Sequence, residues 1–391
     1  MKKGFTTGSC AAAASKAAAY MLLSGIEKKQ IRIETPVGET YCPDIEEIQF
    51  GQDFVRCAVR KQSGDDPDIT NGILVFAKVS VAEAKTSVNK TEVIAGKEVG
   101  TVSGTSNAVK RVVITAGEGI GRVTRPGLDQ PVGEAAINSV PRQMIESEVV
   151  SVMDLFDQEM PLCVEISVPG GDKLAEKTFN PRLGIEGGIS IIGTAGIVEP
   201  MSTKALLDTI LVELRQRKAL GAKTIVISPG NYGLAFMQEH YNYDLDRAVK
   251  CANYIGDTID KAKDLGFQKM LLCGHIGKLI KVSGGIMNTH SKEADCRMEL
   301  MAAAAIRSGA TAETAAAILD CVSTEEAIEI YRKEKIDEEC FSDITEKVSY
   351  YLNHRAGDLM DVQCMIYSSQ YGLLGKTERA EQFLSEAKKS D

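Results

Sequence analysis

One short stretch, residues 274–291, holds two of the four histidines of the chain, His275 and His290, together with Lys278 and Lys281. An imidazole can give or take a proton near neutral pH, and ammonium groups can hold an anion. A histidine alone is more often a buried, hydrogen-bonded residue. Because the lysines are so near, we favour proton handling or anion binding, and predict His275 and His290 as the catalytic residues.

A glycine-rich run, 117–121, is followed by Arg122 and Arg125. Its spacing is GxGxG, and Pro126 prevents a helix from beginning at once, so it is not a dinucleotide-binding fingerprint. The run is either a tight turn or a nest of backbone amides that presents the two arginines to an anion. The sequence leaves both interpretations open.

Three further glycine-containing loops, 193–196, 229–233 and 274–278, each follow a short apolar run. Glycine lets a backbone approach a ligand closely, although tight packing of a helix on a sheet requires the same residue. Each loop alone is weak evidence, but three at one edge of a sheet would form one cleft.

The elements around these loops predict such a sheet. Strands are expected at 189–192, 224–227 and 270–273, with one helix that begins after Ser202 and another over 245–262. Alternating strands and helices form a parallel sheet through right-handed crossovers, and ligands bind at its C-terminal edge. A late strand over 362–367 could join it.

The first half has a different pattern, with a helix over 9–24 that Gly25 ends and strands that do not alternate regularly with helices. We therefore predict an α+β domain over 1–186, contributing part of the substrate site. An α/β domain follows over 187–391, with a mainly parallel sheet that is Rossmann-like and three-layered.

Composition excludes several classes of protein. The net charge is −9, so nucleic acid and anionic membranes are unlikely partners, and no apolar run is long enough to span a membrane. The N-terminal stretch imitates a signal peptide, but Thr6, Thr7, Ser9 and Lys16 interrupt it.

Ten scattered cysteines without a CxxC pair indicate reduced thiols and a cytoplasmic protein, and four histidines without an HxxxH pair predict no metal site.

Six long segments resemble the CbiD family, from Gly4 to about Arg297. They are GFTTGSCAAAASKAA, GDDPDITNG, ITAGEGIGRVTRPGLDQPVGEAAIN, FNPRLGIEGGISIIGTAGIVEPMS, SPGNYG and GHIGKLIKVSGGIMNTHSKEADCR. The resemblance implies methyl transfer from S-adenosylmethionine to ring carbon 1 of the tetrapyrrole cobalt-precorrin-5B, giving cobalt-precorrin-6A. Cobalt would then arrive only as part of the substrate.

The residues fit that chemistry in two sets. A ring that carries many carboxylates needs local cations and helix N-termini, for which the candidates are Thr6, Thr7, Arg122, Arg125, Arg142, Arg182, Lys278 and Lys281. The glycine loops are the expected site of the methyl donor, with Gly193, Thr194, Gly196, Glu199, Gly230, Asn231, Gly233 and Gly274. No acidic residue ends the second strand, so Glu199 or Asp65 would have to bind the ribose.

The residues also leave two other functions open. One is a non-catalytic tetrapyrrole carrier, which would bind the ring but not the donor. The other is a nicotinamide-dependent oxidoreductase, against which the missing fingerprint counts. A homo-oligomer is also left open.

Overall fold

The computed structural model describes residues 3–66, 68–82, 110–178, 180–198, 203–230 and 233–390. The chain divides into two compact units, Met1–Ser202 and Thr203–Asp391. This boundary lies beyond the predicted one at residue 186, because residues 189–198 fold with the first unit. Ile189 and Ile191 form single bridges to Ile120 and Ile137 there.

The first unit contains a five-stranded sheet in the order β4-β5-β6-β9-β7, in which only the β7–β9 pair is parallel. This agrees with the α+β prediction. Its described strands are β1 (Gly4–Phe5), β2 (Ile33–Glu34), β3 (Thr40–Tyr41), β4 (Glu46–Phe50), β5 (Phe54–Arg60), β6 (Leu74–Val81), β7 (Val112–Ala116), β8 (Arg122–Val123), β9 (Leu162–Ser167), β10 (Ile185–Glu186) and β11 (Ile197–Val198). Its described helices are α1 (Thr7–Ser24), α2 (Ser139–Leu155) and α3 (Gly171–Ala175).

Helix α1 is the centre of the first core. It packs against α2, β5 and β6, and seven of its alanines are fully buried. Alanine favours the helix and has no side chain beyond Cβ, so helix and sheet can approach closely. Gly25 ends the helix in the left-handed region at φ 69°, where its N–H donates to the Met21 carbonyl.

The second unit contains a five-stranded sheet in the order β13-β12-β14-β15-β16. Its described strands are β12 (Thr224–Ser228), β13 (Val249–Lys250), β14 (Lys269–His275), β15 (Asp361–Ser368) and β16 (Gly372–Lys376). Its described helices are α4 (Thr203–Ala219), α5 (Leu234–Tyr241), α6 (Ile255–Asp264), α7 (Ile276–Val282), α8 (Arg297–Arg307), α9 (Ala312–Leu319), α10 (Thr324–Glu334), α11 (Asp337–Ala356) and α12 (Ala380–Ser390).

The first four strands of this sheet are parallel and only β16 is antiparallel. Alternate residues of β12 are buried in two different cores: Ile225 and Ile227 with residues of α4 and α6, and Val226 with residues of α5 and α12. A strand covered on both faces by helices is continuously apolar, as here. The mainly parallel sheet predicted for this half, including the late strand, is confirmed.

Two predicted elements are wrong. Residues 189–192 do not join this sheet, because they lie in the first unit. The helix expected over 245–262 is a 3-10 turn at Leu245–Arg247, then β13, then α6. Its apolar spacing suggested one helix face, but Leu245 and Val249 belong to the cores on opposite faces of the sheet.

The position of β13 in the sheet determines where the strand order reverses. From β12 the chain passes through α5 to β13 on one side, then through α6 to β14 on the other side of β12. Helices α5 and α6 accordingly lie on opposite faces. Neighbouring strands β12 and β14 thus form the topological switch point, where open α/β sheets leave a crevice at their C-terminal edge.

Candidate functional site

The C-terminal ends of β12 and β14 bring together three of the predicted donor glycines. Gly230 and Gly233 follow β12, and Gly274 lies at the end of β14. Strands β12 and β14 pair in parallel from Thr224 and Lys269 onward, so these loops leave the sheet side by side. We call this edge the donor edge, defined by residues 228–230, 233 and 274–276.

Packing explains two of these glycines. A Cβ on Gly233 would lie 2.2 Å from the Tyr367 hydroxyl, and one on Gly274 would lie 2.1 Å from Leu279 Cδ1. Both neighbours are buried, so neither can move away easily. The Gly230 carbonyl accepts a hydrogen bond of 2.7 Å from Ser228 Oγ.

The two lysines of α7 point into the protein. Lys278 Nζ donates to the Pro229 carbonyl at 2.8 Å and to the Ala252 carbonyl at 3.4 Å, which ties α7 to the ends of β12 and β13. Lys281 is 3% exposed and donates to the Thr289 and Ala294 carbonyls. Backbone oxygens therefore occupy the two ammonium groups that the sequence suggested as carboxylate clamps, and burial lowers the pKa of Lys278.

His275 begins α7 as its N-cap. Its Nδ1 accepts a hydrogen bond of 3.1 Å from the Gly277 N–H, and its Nε2 lies 3.3 Å from Glu325 Oε1. Burial lowers the pKa of His275, while the Glu325 carboxylate raises it. With Nδ1 used as an acceptor, a neutral His275 would carry its proton on Nε2, facing Glu325, although the Ser369 N–H also points at Nε2 from 3.3 Å.

His290 is arranged in the same way. Its Nδ1 accepts a hydrogen bond of 3.0 Å from the Lys292 N–H, in a loop that Asn288 and Lys281 help to hold. The neutral side chain again carries its proton on Nε2. In both predicted catalytic histidines, the nitrogen that could take a proton is thus occupied by a backbone N–H two residues later.

Glu325 was not predicted from sequence. It lies in the first turn of α10 and comes to the donor edge from fifty residues beyond His275. The Glu-Glu pair after Ser323-Thr324 is typical of a helix start, so nothing local distinguished Glu325 from Glu326.

The loop 193–196 lies in the first unit, not at the donor edge as predicted. It covers the start of α1: Ser9 Oγ donates to the Gly196 carbonyl at 2.6 Å, and Thr7 Oγ1 bonds the backbone of Ile192. Thr6 caps the helix by accepting from the Ser9 N–H. Of the two hydroxyls predicted to bind substrate, that of Thr6 therefore caps α1 and that of Thr7 holds the loop at Ile192.

Close packing also accounts for the glycines of this loop. A Cβ on Gly193 would lie 2.3 Å from Thr6 Oγ1, and one on Gly196 would lie 2.8 Å from Thr35 Cβ. Thr194 is exposed between them. Glu199 and Asn231, also expected in the donor site, lie outside the described residues.

The glycine-rich run 117–121 is a backbone crossing. A Cβ on Gly119 would lie 1.8 Å from the Val168 carbonyl oxygen, so close packing of the two backbones accounts for this glycine. Arg122 and Arg125 beyond it are exposed and donate to the carbonyls of Gly133 and Arg182. These contacts place Arg125 next to Arg182.

Arg142 differs from these arginines. Its guanidinium donates to the carbonyls of Ile137 and Ala135, so it fixes the segment before α2. Among the described residues, no group of three or more His, Cys, Asp or Glu side chains could hold a metal ion. Within the same ranges, no helix has the length and apolar character that crossing a membrane requires.

Comparison with known proteins identifies the family. A family model described as CbiD matches residues 1–200, and one described as the CbiD C-terminal domain matches residues 288–378. The chain belongs to the CbiD family. The resemblance of the sequence motifs to CbiD is thereby confirmed.

Relatives of this CbiD chain are similar over nearly its whole length. The cobalt-precorrin-5B C(1)-methyltransferase of Ruminiclostridium cellulolyticum is 42% identical over 94% of this chain and 89% of its own. That of Alkaliphilus metalliredigens is 39% identical over 98% and 94%. A crystal structure of the cobalamin biosynthesis protein CbiD from Archaeoglobus fulgidus is 26% identical, covering 74% of this chain and 82% of that one with a TM-score of 0.36.

Proposed function

We propose that this protein transfers a methyl group from S-adenosylmethionine to ring carbon 1 of cobalt-precorrin-5B, giving cobalt-precorrin-6A in cobalamin biosynthesis. One observation carries the proposal: relatives named for this reaction are about 40% identical over almost the entire chain. Cobalt enters as part of the substrate.

The methyl donor binds at the donor edge of the second unit, which we take to be a Rossmann-like, three-layered domain. The switch point between β12 and β14 supports this placement, because ligands of open α/β sheets bind beside such a point and Gly230 follows β12 there. Of the predicted glycines, Gly230, Gly233 and Gly274 lie at this edge. Gly193 and Gly196 lie in the first unit, against α1.

The chain's own residues contribute placement more than proton transfer. Because the Nδ1 atoms of His275 and His290 accept from backbone N–H groups, neither histidine presents a free base while its loop is intact. The sulfonium donor is already activated, and aligned placement alone supplies up to about 7–11 kcal/mol in favourable intramolecular systems.

The tetrapyrrole carboxylates are recognised by the exposed arginines of the first unit. Arg122 and Arg125 contact backbone carbonyls through one guanidinium nitrogen each, as far as the described residues show, which leaves other N–H groups for a carboxylate. Bidentate pairs between arginine and carboxylate are stronger and more specific than single contacts.

The activity is tested by incubating the protein with cobalt-precorrin-5B and S-adenosylmethionine carrying a labelled methyl group. Appearance of the label at ring carbon 1 is the expected result. Binding of the ring without the donor would identify a carrier instead, and consumption of a reduced nicotinamide cofactor would identify an oxidoreductase.

The donor site is tested separately by calorimetry with S-adenosylhomocysteine. Gly230→Val should weaken binding at least tenfold while the circular dichroism spectrum stays unchanged. Lys223→Ala, an exposed change at the opposite edge of the same sheet, is the matched control and should bind as wild type. Equal affinity in both variants would move the donor site elsewhere.

The arginine assignment predicts a selective loss. Arg125→Ala should weaken tetrapyrrole binding about tenfold, as expected for one charge-assisted pair, with donor affinity unchanged. Lys110→Ala, an exposed cation at the other end of β7, is the control. Unchanged tetrapyrrole affinity in Arg122→Ala and Arg125→Ala alike would remove these arginines from the site.

A further inference from the structure

We propose that Glu325 is a positioning residue of the donor edge, acting through His275. The inference deepens the proposed function and rests on the placement of the methyl donor at that edge.

The carboxylate of Glu325 connects three elements. Its Oε1 lies 3.3 Å from His275 Nε2 and accepts a hydrogen bond of 3.3 Å from Ser368 Oγ. Its Oε2 accepts from Thr324 Oγ1 at 2.8 Å. The end of β14, the end of β15 and the start of α10 are thus tied together by one side chain. We call His275, Glu325 and Ser368 the edge clamp.

Glu325 also decides which nitrogen of His275 carries the proton. The Ser369 N–H lies 3.3 Å from Nε2 and would favour an unprotonated Nε2. In that tautomer, however, an N–H at Nδ1 would face the Gly277 N–H, and the cap of α7 would be lost. A carboxylate beside Nε2 favours the N–H at that atom, so Glu325 selects the tautomer that caps α7.

The charged and titratable groups around the clamp come from several elements. Burial lowers the pKa of His275 and Glu325 raises it. The Tyr367 ring of β15 packs edge-on at 5.9 Å, and burial raises the pKa of Tyr367. The pKa of Arg297 in α8 is raised, mostly by Asp295 and in smaller part by Glu325. A charged group on α7 itself is Lys278, in the turn that His275 caps.

A continuous set of contacts leads from the clamp to the loop after β12. His275 fixes the first turn of α7, and Lys278 in that turn holds the Pro229 carbonyl next to Gly230. Release of the imidazole would loosen the start of α7 and, through Lys278, the loop after β12. Glu325 therefore acts on donor binding without touching the donor.

The experiment compares Glu325→Ala, Glu325→Gln and the control Glu329→Ala. Glu329 lies one turn later on α10, and its carboxylate accepts from the Tyr371 hydroxyl at 3.2 Å without reaching His275. Donor affinity is measured by calorimetry with S-adenosylhomocysteine. The tautomer and pKa of His275 are read from ¹⁵N chemical shifts of ¹⁵N-histidine-labelled protein, with only four histidines to assign.

Wild type should show His275 with its proton on Nε2. Glu325→Ala should mix the tautomers and weaken donor binding about tenfold, as for loss of a hydrogen bond to a charged group. Glu325→Gln keeps an acceptor oxygen, so it should restore most of the affinity while lowering the pKa of His275, because the charge that raises it is gone. Glu329→Ala should match wild type in both measurements.

Three outcomes separate this inference from the proposed donor site. A wild-type His275 protonated on Nδ1 would overturn the inference directly. If Gly230→Val weakens donor binding but Glu325→Ala does not, the donor site stands and the inference falls. If neither weakens it, the donor binds elsewhere and both fall. Should Glu325→Ala not fold, an unchanged His275 pKa in Glu325→Gln would overturn the inference.

Discussion

Lys61 and Asp68 form a largely buried ion pair in the first unit, beneath the turn that follows β5. Lys61 is 2% exposed and bonds both Asp68 and Ser63 Oγ. Burial raises the pKa of Asp68, but Lys61 and two hydrogen bonds from Thr70 lower this pKa by more, so the net shift is downward. The ionised carboxylate is therefore stabilised by folding.

Removing the lysine should be costly, because it leaves a carboxylate partly buried without its counter-charge. Lys61→Met is expected to lower the free energy of unfolding by about 2–4 kcal/mol, measured by urea denaturation. Lys3→Met breaks the exposed Lys3–Glu39 pair and should cost less than about 1 kcal/mol. Equal losses in the two variants would contradict the assignment of Lys61–Asp68 as a buried pair.

His275 predicts a pH dependence of stability. Because its pKa is lowered in the folded protein, the unfolded chain binds the proton more readily. The stabilising contribution is complete above the unfolded value, about 6.5, and is lost as pH falls below it. We expect the unfolding free energy of wild type to fall between pH 7 and pH 5 more steeply than that of His275→Asn. Parallel curves for the two proteins would contradict this.

At the scale of elements, sequence patterns located the longer helices and strands well. The predicted bounds of α1, 9–24, and of β14, 270–273, differ from those observed by only a few residues. Each has a local cause: an apolar alternation, a cap or a terminating glycine. The two-residue strand β13 has no pattern of its own, because its pairing with β12 defines it.

For the candidate site, the sequence predicted the positions of residues but not the directions of their side chains. His275 and Lys278 were placed correctly at the end of a parallel strand, since that follows from local order. Their directions were not, because their partners come from distant segments: Glu325 from α10 for the imidazole, and Pro229 and Ala252 for the ammonium group. Tertiary contacts decide where a side chain points.

The loop over the start of α1 predicts which glycine changes unfold the first unit. Gly196→Val places a branched side chain at φ 76° against Thr35 and Pro36, so we expect a loss of at least about 2 kcal/mol in thermal or urea unfolding. Gly187→Ala, at φ 80° with open space around it, isolates the backbone strain and should cost about 1–2 kcal/mol. Similar losses would mean that Gly196 is not closely packed.

At the scale of the whole molecule, each unit has its own apolar core. One core unites residues of α1, α2 and the first sheet, and the others cover the two faces of the second sheet. Such units generally unfold as separate cooperative transitions. Calorimetry should therefore resolve two transitions in the intact chain.

Two variants assign these transitions. Gly196→Val should lower only one of them, and Ile259→Ala, which empties a fully buried position of α6, should lower only the other, by about 2–5 kcal/mol. A single transition that both variants shift would show that the two units unfold together.

The pairing of β1 with β11 joins Gly4 to Val198, and this has a consequence for synthesis on the ribosome. The nascent chain emerges from its N-terminus at about 5–20 residues per second, so the start of α1 waits roughly 10 to 40 seconds for the segment that covers it. During that interval an alanine-rich helix is available to chaperones, and translation speed sets how long it stays so.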